Sequence, residues 1–140
     1  MFIEQYFDKI KEVINQCPLV YQKSIDIDIR SEYIGHIEGA LFFLDDTVLY
    51  FREIVDVERG VDRIKYTYHY QHQDSLVRIF RYDNARHHPH ISTFPHHKHI
   101  GNEGISDDNL TESTAPILTE VLKEIEDMYM YRKSFYENNS

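Results

Sequence analysis

Residues 47–83, TVLYFREIVDVERGVDRIKYTYHYQHQDSLVRIFRYD, decide the fold. They contain successive runs rich in β-branched and aromatic residues, at 47–58, 64–72 and 75–83. Short polar breaks around Gly60 and Asp74 separate these runs, and both breaks are typical of tight turns. Because the connections are too short for crossovers, the stretch predicts consecutive antiparallel strands in a meander.

Further strands are predicted upstream of this stretch. Between residues 24 and 30, isoleucines alternate strictly with charged side chains, which is the period of a strand with one buried face. Residues 33–44 form another strand-like run, and the polar pair Asp45-Asp46 suits a hairpin turn into the next strand. The sequence therefore predicts a sheet of about five strands.

Helical patterns lie at both ends of the chain. Near the N-terminus, apolar residues recur at three- and four-residue spacing until Pro18. Toward the C-terminus, Thr114 is placed to cap a second helix, with Pro116 in its first turn. The predicted fold class is α+β, an antiparallel meander flanked by an N-terminal and a C-terminal helix. Because no Gly/Ser-rich linker interrupts it, residues 1–140 are expected to form a single domain.

Residues 84–109 are predicted to form a long loop after the last strand. This segment contains Pro89, Pro95, Gly101 and Gly104, and it has no sustained periodicity. Loops of this length within a domain are usually functional or disordered. Because this loop is rich in titratable side chains, we expect a functional loop.

Composition restricts the class of protein. The formal net charge is −9, so the molecule as a whole repels polyanions at long range. No apolar run reaches the roughly 20 residues of a membrane span, and the N-terminus does not resemble a secretory leader. The single Cys17 allows no internal disulfide. We therefore expect a cytoplasmic protein without membrane contact.

Two features interrupt or mark the strand pattern. Glu53 lies on the otherwise apolar face of the strand at 47–58, where a buried carboxylate needs a partner. Arg81 is the expected partner and His69 a second one, in either a structural ion pair or a functional site.

A tyrosine stripe follows at two-residue spacing, and it indicates base stacking, a core face or a contact in a homodimer. Its members are Tyr66, Tyr68 and Tyr70.

The histidine-rich segment RYDNARHHPHISTFPHHKH, residues 81–99, is the most distinctive chemical feature. The pattern His-His-x-His occurs twice in it. In extended backbone, His88 and His90 project to one side, as do His97 and His99.

This segment leaves several interpretations open. One is a metal site for zinc or another transition metal, with ligands among His87, His88, His90, His96, His97 and His99. A second is acid–base chemistry on a phosphodiester, assisted by nearby cationic side chains and without a cofactor. A third is a non-catalytic loop, either rigid with its histidine rings bonded to backbone carbonyls and to Asp83, or a surface that binds a protein partner.

Residues 64–99, IKYTYHYQHQDSLVRIFRYDNARHHPHISTFPHHKH, resemble the TumE family of toxins. The matching motif positions are Arg81, Asp83, Asn84, His87, His88, His90, Pro95, His96, His97 and His99. Arg86 departs from the proline expected there. The resemblance implies the toxin of a type II toxin–antitoxin pair, with a helix-turn-helix antitoxin as its partner.

Taken together, these observations predict a toxin that acts on RNA by metal-independent chemistry. The expected acid and base are a pair among His88, His90, His97 and His99, with one imidazole oriented by Asp83. Arg81 and Lys98 are expected to hold the phosphate. Further substrate contacts are expected from Arg86, His69 and Glu53. The alternatives are a partner-binding module and a metal protein with histidine ligands.

Overall fold

The structure, a computed structural model, describes residues 1–101 and 109–138. The described elements are, in order, α1 (Ile3–Asn15), β1 (Val20–Ile29), β2 (Ile34–Phe43), β3 (Thr47–Asp56), β4 (Asp62–His72), β5 (Arg78–Asp83), β6 (His97–Ile100), β7 (Leu110–Glu112) and α2 (Leu118–Asn138). The strands form one antiparallel sheet in which the spatial order follows the sequence order. The α+β meander with terminal helices is confirmed.

The described part of the sheet has seven strands rather than about five. The additional strands β6 and β7 lie within or directly after the segment predicted to be a loop. They have four and three residues, so they are too short to show a period-two pattern in the sequence. Residues 102–108 of that segment, including Gly104, lie outside the described residues. The histidine-rich segment is therefore partly loop and partly strand.

One sheet face, here called the core face, packs against both described helices. Ile3 and Phe7 of α1 lie over Gly35 of β2, where a Cβ atom would be 2.8 Å from the Phe7 ring. Gly35 thus allows α1 to approach the sheet closely. From α2, the side chains that enter the core are Leu118, Val121, Leu122 and Ile125.

The tyrosine stripe of β4 belongs to this core face. Tyr66, Tyr68 and Tyr70 are at most 1% exposed. Their rings are therefore not available to bases, and their interpretation as a core face is confirmed.

The predicted cap of the C-terminal helix is wrong. Thr114 is exposed and precedes the first residue of α2, Leu118. The backbone N–H of Ile117 instead donates to Glu120 Oε1 at 3.1 Å, so a carboxylate in the first turn pairs with one backbone N–H at this helix end. Neither helix in the described ranges has the length and apolarity needed to cross a membrane.

Candidate active site

The sheet face opposite the helices, here called the open face, holds most of the predicted site residues. Strand register places one row of side chains across β3 to β6, comprising Tyr50, His69, Arg81 and His99. A second row beside it comprises Arg52, Thr67, Asp83 and His97. Because partners in antiparallel strands point to the same side, both rows project away from the core.

Three histidines from two segments converge at one end of these rows. His97 and His99 are on β6, and the connection between β5 and β6 brings His88 to them. The ring centroids are 4.9 Å apart for His97 and His99, 5.0 Å for His88 and His97, and 5.6 Å for His88 and His99. We call His88, His97 and His99 the histidine cluster.

Asp83 anchors this cluster from the neighbouring strand. Its carboxylate is almost completely buried and accepts hydrogen bonds at 2.9 Å from Arg81 Nε, His97 Nε2 and the backbone N–H of Ala85. Several donors, two of them on potentially cationic side chains, compensate for the lost hydration of the carboxylate. Asp83 therefore fixes an arginine and an imidazole in relation to each other.

Both ring nitrogens of His97 face oxygen atoms that accept hydrogen bonds. Nδ1 lies 3.0 Å from the carbonyl oxygen of Pro95, and Nε2 lies 2.9 Å from Asp83 Oδ1. A carbonyl and a carboxylate are both acceptors, so a proton on either ring nitrogen has a partner. His97 is 2% exposed, and its orientation is therefore fixed on two sides.

His99 lies in a different electrostatic environment. Burial lowers the pKa of His99 to about 4, and positive charge on His97 and Arg78 acts in the same direction. The carboxylate of Asp83 opposes this effect, but its nearest oxygen is 3.9 Å from His99 Nε2. At neutral pH the His99 ring is therefore unprotonated, and it can accept a proton.

Arg81 is held between Asp83 and His69. Its Nη1 atom lies 3.3 Å from His69 Nδ1, and His69 Nε2 lies 2.9 Å from Gln71 Oε1. Arg81 can only donate, so His69 accepts through Nδ1 and donates through Nε2. This chain of contacts positions the guanidinium on the open face, where it is partly accessible.

Lys98 does not join the histidine cluster. Its neighbours in the strand point to the open face, whereas Lys98 lies on the core face and pairs with Glu124 of α2 at 2.8 Å. Its ammonium group also lies 4.8 Å from the centroid of the Tyr82 ring. The expectation that Lys98 and Arg81 hold one phosphate together is wrong, because the sheet lies between them.

The remaining predicted histidines lie apart from the cluster. His87 and His90 are exposed on the connecting loop, and His90 approaches His88 with a centroid separation of 6.0 Å. His96 turns the other way, with Nδ1 2.7 Å from the hydroxyl oxygen of Tyr66. Arg86 is exposed and lies over the Phe94 ring.

The predicted partner of Glu53 is also wrong. Glu53 is 1% exposed on the core face, where it accepts hydrogen bonds from the hydroxyl groups of Tyr6 and Tyr68. Arg81 is on the opposite face, since it is paired with His69, whereas Glu53 is paired with Tyr66. Alternation along a strand shows which residues share a face, but it does not show how faces of different strands align.

Sequence reasoning did not identify Arg63 as part of the Glu53 environment. The Arg63 guanidinium donates to the Tyr68 hydroxyl at 3.0 Å and to the carbonyl oxygen of Pro116 at 2.8 Å. It therefore connects the polar group in the core to the start of α2. The sequence feature that pointed to such a residue was Glu53, because a buried carboxylate needs hydrogen-bond donors or a cation nearby.

The histidine cluster has the composition of a metal site. One nitrogen from each of His88, His97 and His99 lies within 4.8 Å of the others. Imidazole nitrogen is a good ligand for zinc and related metals, and a ligand's second nitrogen usually donates to a carbonyl or carboxylate. The contact between His97 Nδ1 and Pro95 has this form. The cluster can therefore bind a metal ion.

The fold and site define a small α+β protein with a histidine cluster on the open face of a meander. A family model described as Toxin TumE matches residues 10–129. The chain belongs to the TumE family, which confirms the resemblance and supports a toxin role. No curated protein and no solved structure shows significant similarity to it.

Proposed function

We propose that this protein is a growth-inhibiting toxin that cleaves RNA with the histidine cluster on its open face. The observation that carries the proposal is the convergence of His88, His97 and His99 next to the Arg81–Asp83 pair. Imidazoles can take and give protons near neutral pH, and a guanidinium can bind a phosphate. Membership of a toxin family supports the biological role.

In the proposed reaction His99 is the base and His88 the acid. His99 removes the proton of a ribose 2′-hydroxyl, and the 2′-oxygen forms a bond to phosphorus. The bond from phosphorus to the 5′-oxygen breaks, and His88 gives a proton to that oxygen. The products are a 2′,3′-cyclic phosphate and a 5′-hydroxyl. With its lowered pKa the His99 ring is neutral at pH 7, as a base must be before the reaction.

Arg81 and His97 have supporting roles in this proposal. Arg81 stabilises the negative charge that develops on the phosphorus oxygens. Both nitrogens of His97 already contact Pro95 and Asp83, so His97 positions the cluster. The exposed His90 and Arg86 extend the surface for substrate binding.

Growth of bacteria after induced expression tests this proposal. We expect arrest with the wild type and no arrest with His99→Ala or His88→Ala at equal soluble levels. His87→Ala is the matched control, because His87 is exposed and adjacent to His88. RNA from arrested cells should carry new 5′-hydroxyl ends, which sequencing of ligated ends detects.

Arrest by the soluble His99→Ala variant would contradict the catalytic assignment. His99→Gln separates catalysis from a non-catalytic binding module, since glutamine keeps hydrogen bonding but does not transfer protons at neutral pH. Full toxicity of His99→Gln without new RNA ends would favour the partner-binding module.

The mutual approach of the cluster nitrogens favours a second candidate, a metal-dependent toxin. Zinc–nitrogen bonds of about 2.1 Å place tetrahedral ligands roughly 3.4 Å apart, so the rings would have to move closer together. His97 would keep its contact with Pro95 and exchange Asp83 for the metal. A bound ion could then activate water for phosphodiester cleavage.

Elemental analysis of protein purified without a histidine tag distinguishes these candidates. The metal-independent proposal expects no stoichiometric zinc, nickel or copper, and activity that persists after chelation. Stoichiometric metal in the wild type that is lost in His97→Ala would establish the second candidate instead.

We further propose a cytoplasmic toxin that a helix-turn-helix antitoxin neutralises by direct contact. Family membership supports an antitoxin partner. Co-expression with the neighbouring gene product should restore growth and give a co-purifying complex. We also propose that the protein forms a homodimer, which light scattering of the isolated protein tests.

A further inference from the structure

Tyr50 is an aromatic residue on the open face that the proposed reaction does not use. It is 44% exposed, whereas the tyrosines of β4 on the core face are fully buried. Its row continues through His69 and Arg81 to His99. Three steps between neighbouring strands separate Tyr50 from His99, which corresponds to about 14 Å.

A concavity of about 310 Å³ lies beside the Tyr50 side chain. Small residues at neighbouring positions of β1 and β2, Ser24 and Ala40, leave this space next to the ring. Arg52, two residues from Tyr50 on β3, also lines the space, and its Nε donates to His36 Nε2 at 3.2 Å. An exposed ring, an open space and a held cation thus occur together on one surface.

We propose that this concavity is a nucleobase subsite of the RNA substrate, in which one unpaired base stacks on Tyr50. The inference rests on the proposed function, because it assigns a substrate contact to the same open face. Single-stranded RNA presents unstacked bases that stack on aromatic side chains. A double-stranded substrate does not offer such a base without unpairing.

The concavity combines apolar surface around Tyr50 with one cation, Arg52, and two acids. Arg52 can contact a phosphate, and Arg81 lies on the same face two strands further toward the cluster. Asp26 and Glu38 also line the space, and their oxygens can accept hydrogen bonds from base amino groups. A base at Tyr50 would therefore direct the adjoining backbone across His69 and Arg81 to His99.

Binding of a fully 2′-O-methylated single-stranded oligonucleotide tests this inference. The modification removes the 2′-hydroxyl nucleophile, so fluorescence anisotropy measures binding without cleavage. We expect Tyr50→Ala to raise Kd about 5- to 150-fold, the range for loss of one base–aromatic stack. Tyr50→Phe should bind like the wild type because the ring is retained.

Tyr131→Ala is the matched control, since Tyr131 is an exposed tyrosine on α2 and α2 packs on the core face. It should bind like the wild type. Unchanged binding by Tyr50→Ala overturns the subsite while the proposed function stands. Equal weakening by Tyr50→Ala and Tyr131→Ala also overturns it. If the wild type fails to bind the oligonucleotide, both the subsite and RNA as the substrate are overturned, whatever the growth assay shows.

Discussion

His97 and Asp83 lie directly opposite each other on neighbouring strands, with His97 Nε2 2.9 Å from Asp83 Oδ1. Both side chains are buried although they belong to the open face. This pair joins the sheet to the histidine cluster, because the same carboxylate also accepts from Arg81. The orientation of the cluster therefore depends on Asp83, even if Asp83 does not touch the substrate.

Asp83→Asn should weaken growth arrest at least about 10-fold, because an amide is a poorer acceptor for His97 and Arg81. The free energy of unfolding should fall by about 1–3 kcal/mol, since charged groups lose a buried hydrogen-bond partner. Urea denaturation measures the stability, and the surviving colony fraction after induction measures the toxicity.

Asp8→Asn is the control for this prediction, because Asp8 is an exposed acid on α1. It should change neither quantity. Wild-type toxicity in a folded Asp83→Asn variant would contradict the positioning role.

Arg81→Gln and Lys98→Gln provide a matched test of which cation serves the site. Each removes one positive charge, from β5 on the open face and from β6 on the core face respectively. We expect Arg81→Gln to reduce toxicity at least about 10-fold, as for the loss of a charge-stabilising donor. Lys98→Gln should retain toxicity and lose about 1 kcal/mol of stability or less, from the Glu124 pair.

Both variants should be compared at equal soluble levels in the same induction assay. A strong loss of toxicity with Lys98→Gln but not with Arg81→Gln would contradict our proposal that the phosphate binds on the open face.

Much of the fold follows from the sequence because its longer strands alternate clearly. The alternation at residues 24–30 correctly predicted a strand, β1. The short polar breaks correctly predicted that consecutive strands pair in antiparallel fashion. The short strands β6 and β7 lacked such a signal. Their pairing depends on the neighbouring strand rather than on their own periodicity.

The site was predictable in composition but not in geometry. The repeated His-His-x-His pattern identified the segment, and the spacing of His97 and His99 correctly put them on one side. Which residue of the first repeat reaches them depends on the loop, and that residue is His88. Placing Arg81 with Glu53 failed because alternation does not fix how different strands align.

Glu53→Gln tests the structural role of the buried acid. The amide should weaken the hydrogen bonds from Tyr6 and Tyr68, which lowers the free energy of unfolding by about 1–3 kcal/mol. RNA binding by the folded variant should equal that of the wild type, because Glu53 is on the core face. Urea denaturation and anisotropy measure the two effects.

Tyr68→Phe removes one of these donors without altering the open face. It should likewise lower the free energy of unfolding and leave RNA binding unchanged. If a folded Glu53→Gln variant lost RNA binding with its stability unchanged, that result would support the prediction that Glu53 contacts the substrate.

The low pKa of His99 predicts a dependence of stability on pH. Burial and neighbouring positive charge hold it at about 4 in the folded protein, whereas an unfolded histidine titrates near 6.5. Between these values the unfolded chain binds more protons, so acidification favours unfolding. Between pH 7.5 and pH 5, protonation linked to His99 should therefore lower the free energy of unfolding by about 2 kcal/mol or less.

Urea denaturation of the wild type and of His99→Gln at both pH values isolates this contribution. The variant should lose less stability on acidification, because glutamine does not titrate. It should keep some pH dependence, since burial and the charge of Arg63 also lower the pKa of His96. His87→Gln, at an exposed position, should behave like the wild type. Equal losses in the wild type and His99→Gln would show that His99 protonates alike in the folded and unfolded chains, and His99 would then no longer be favoured over His88 as the base.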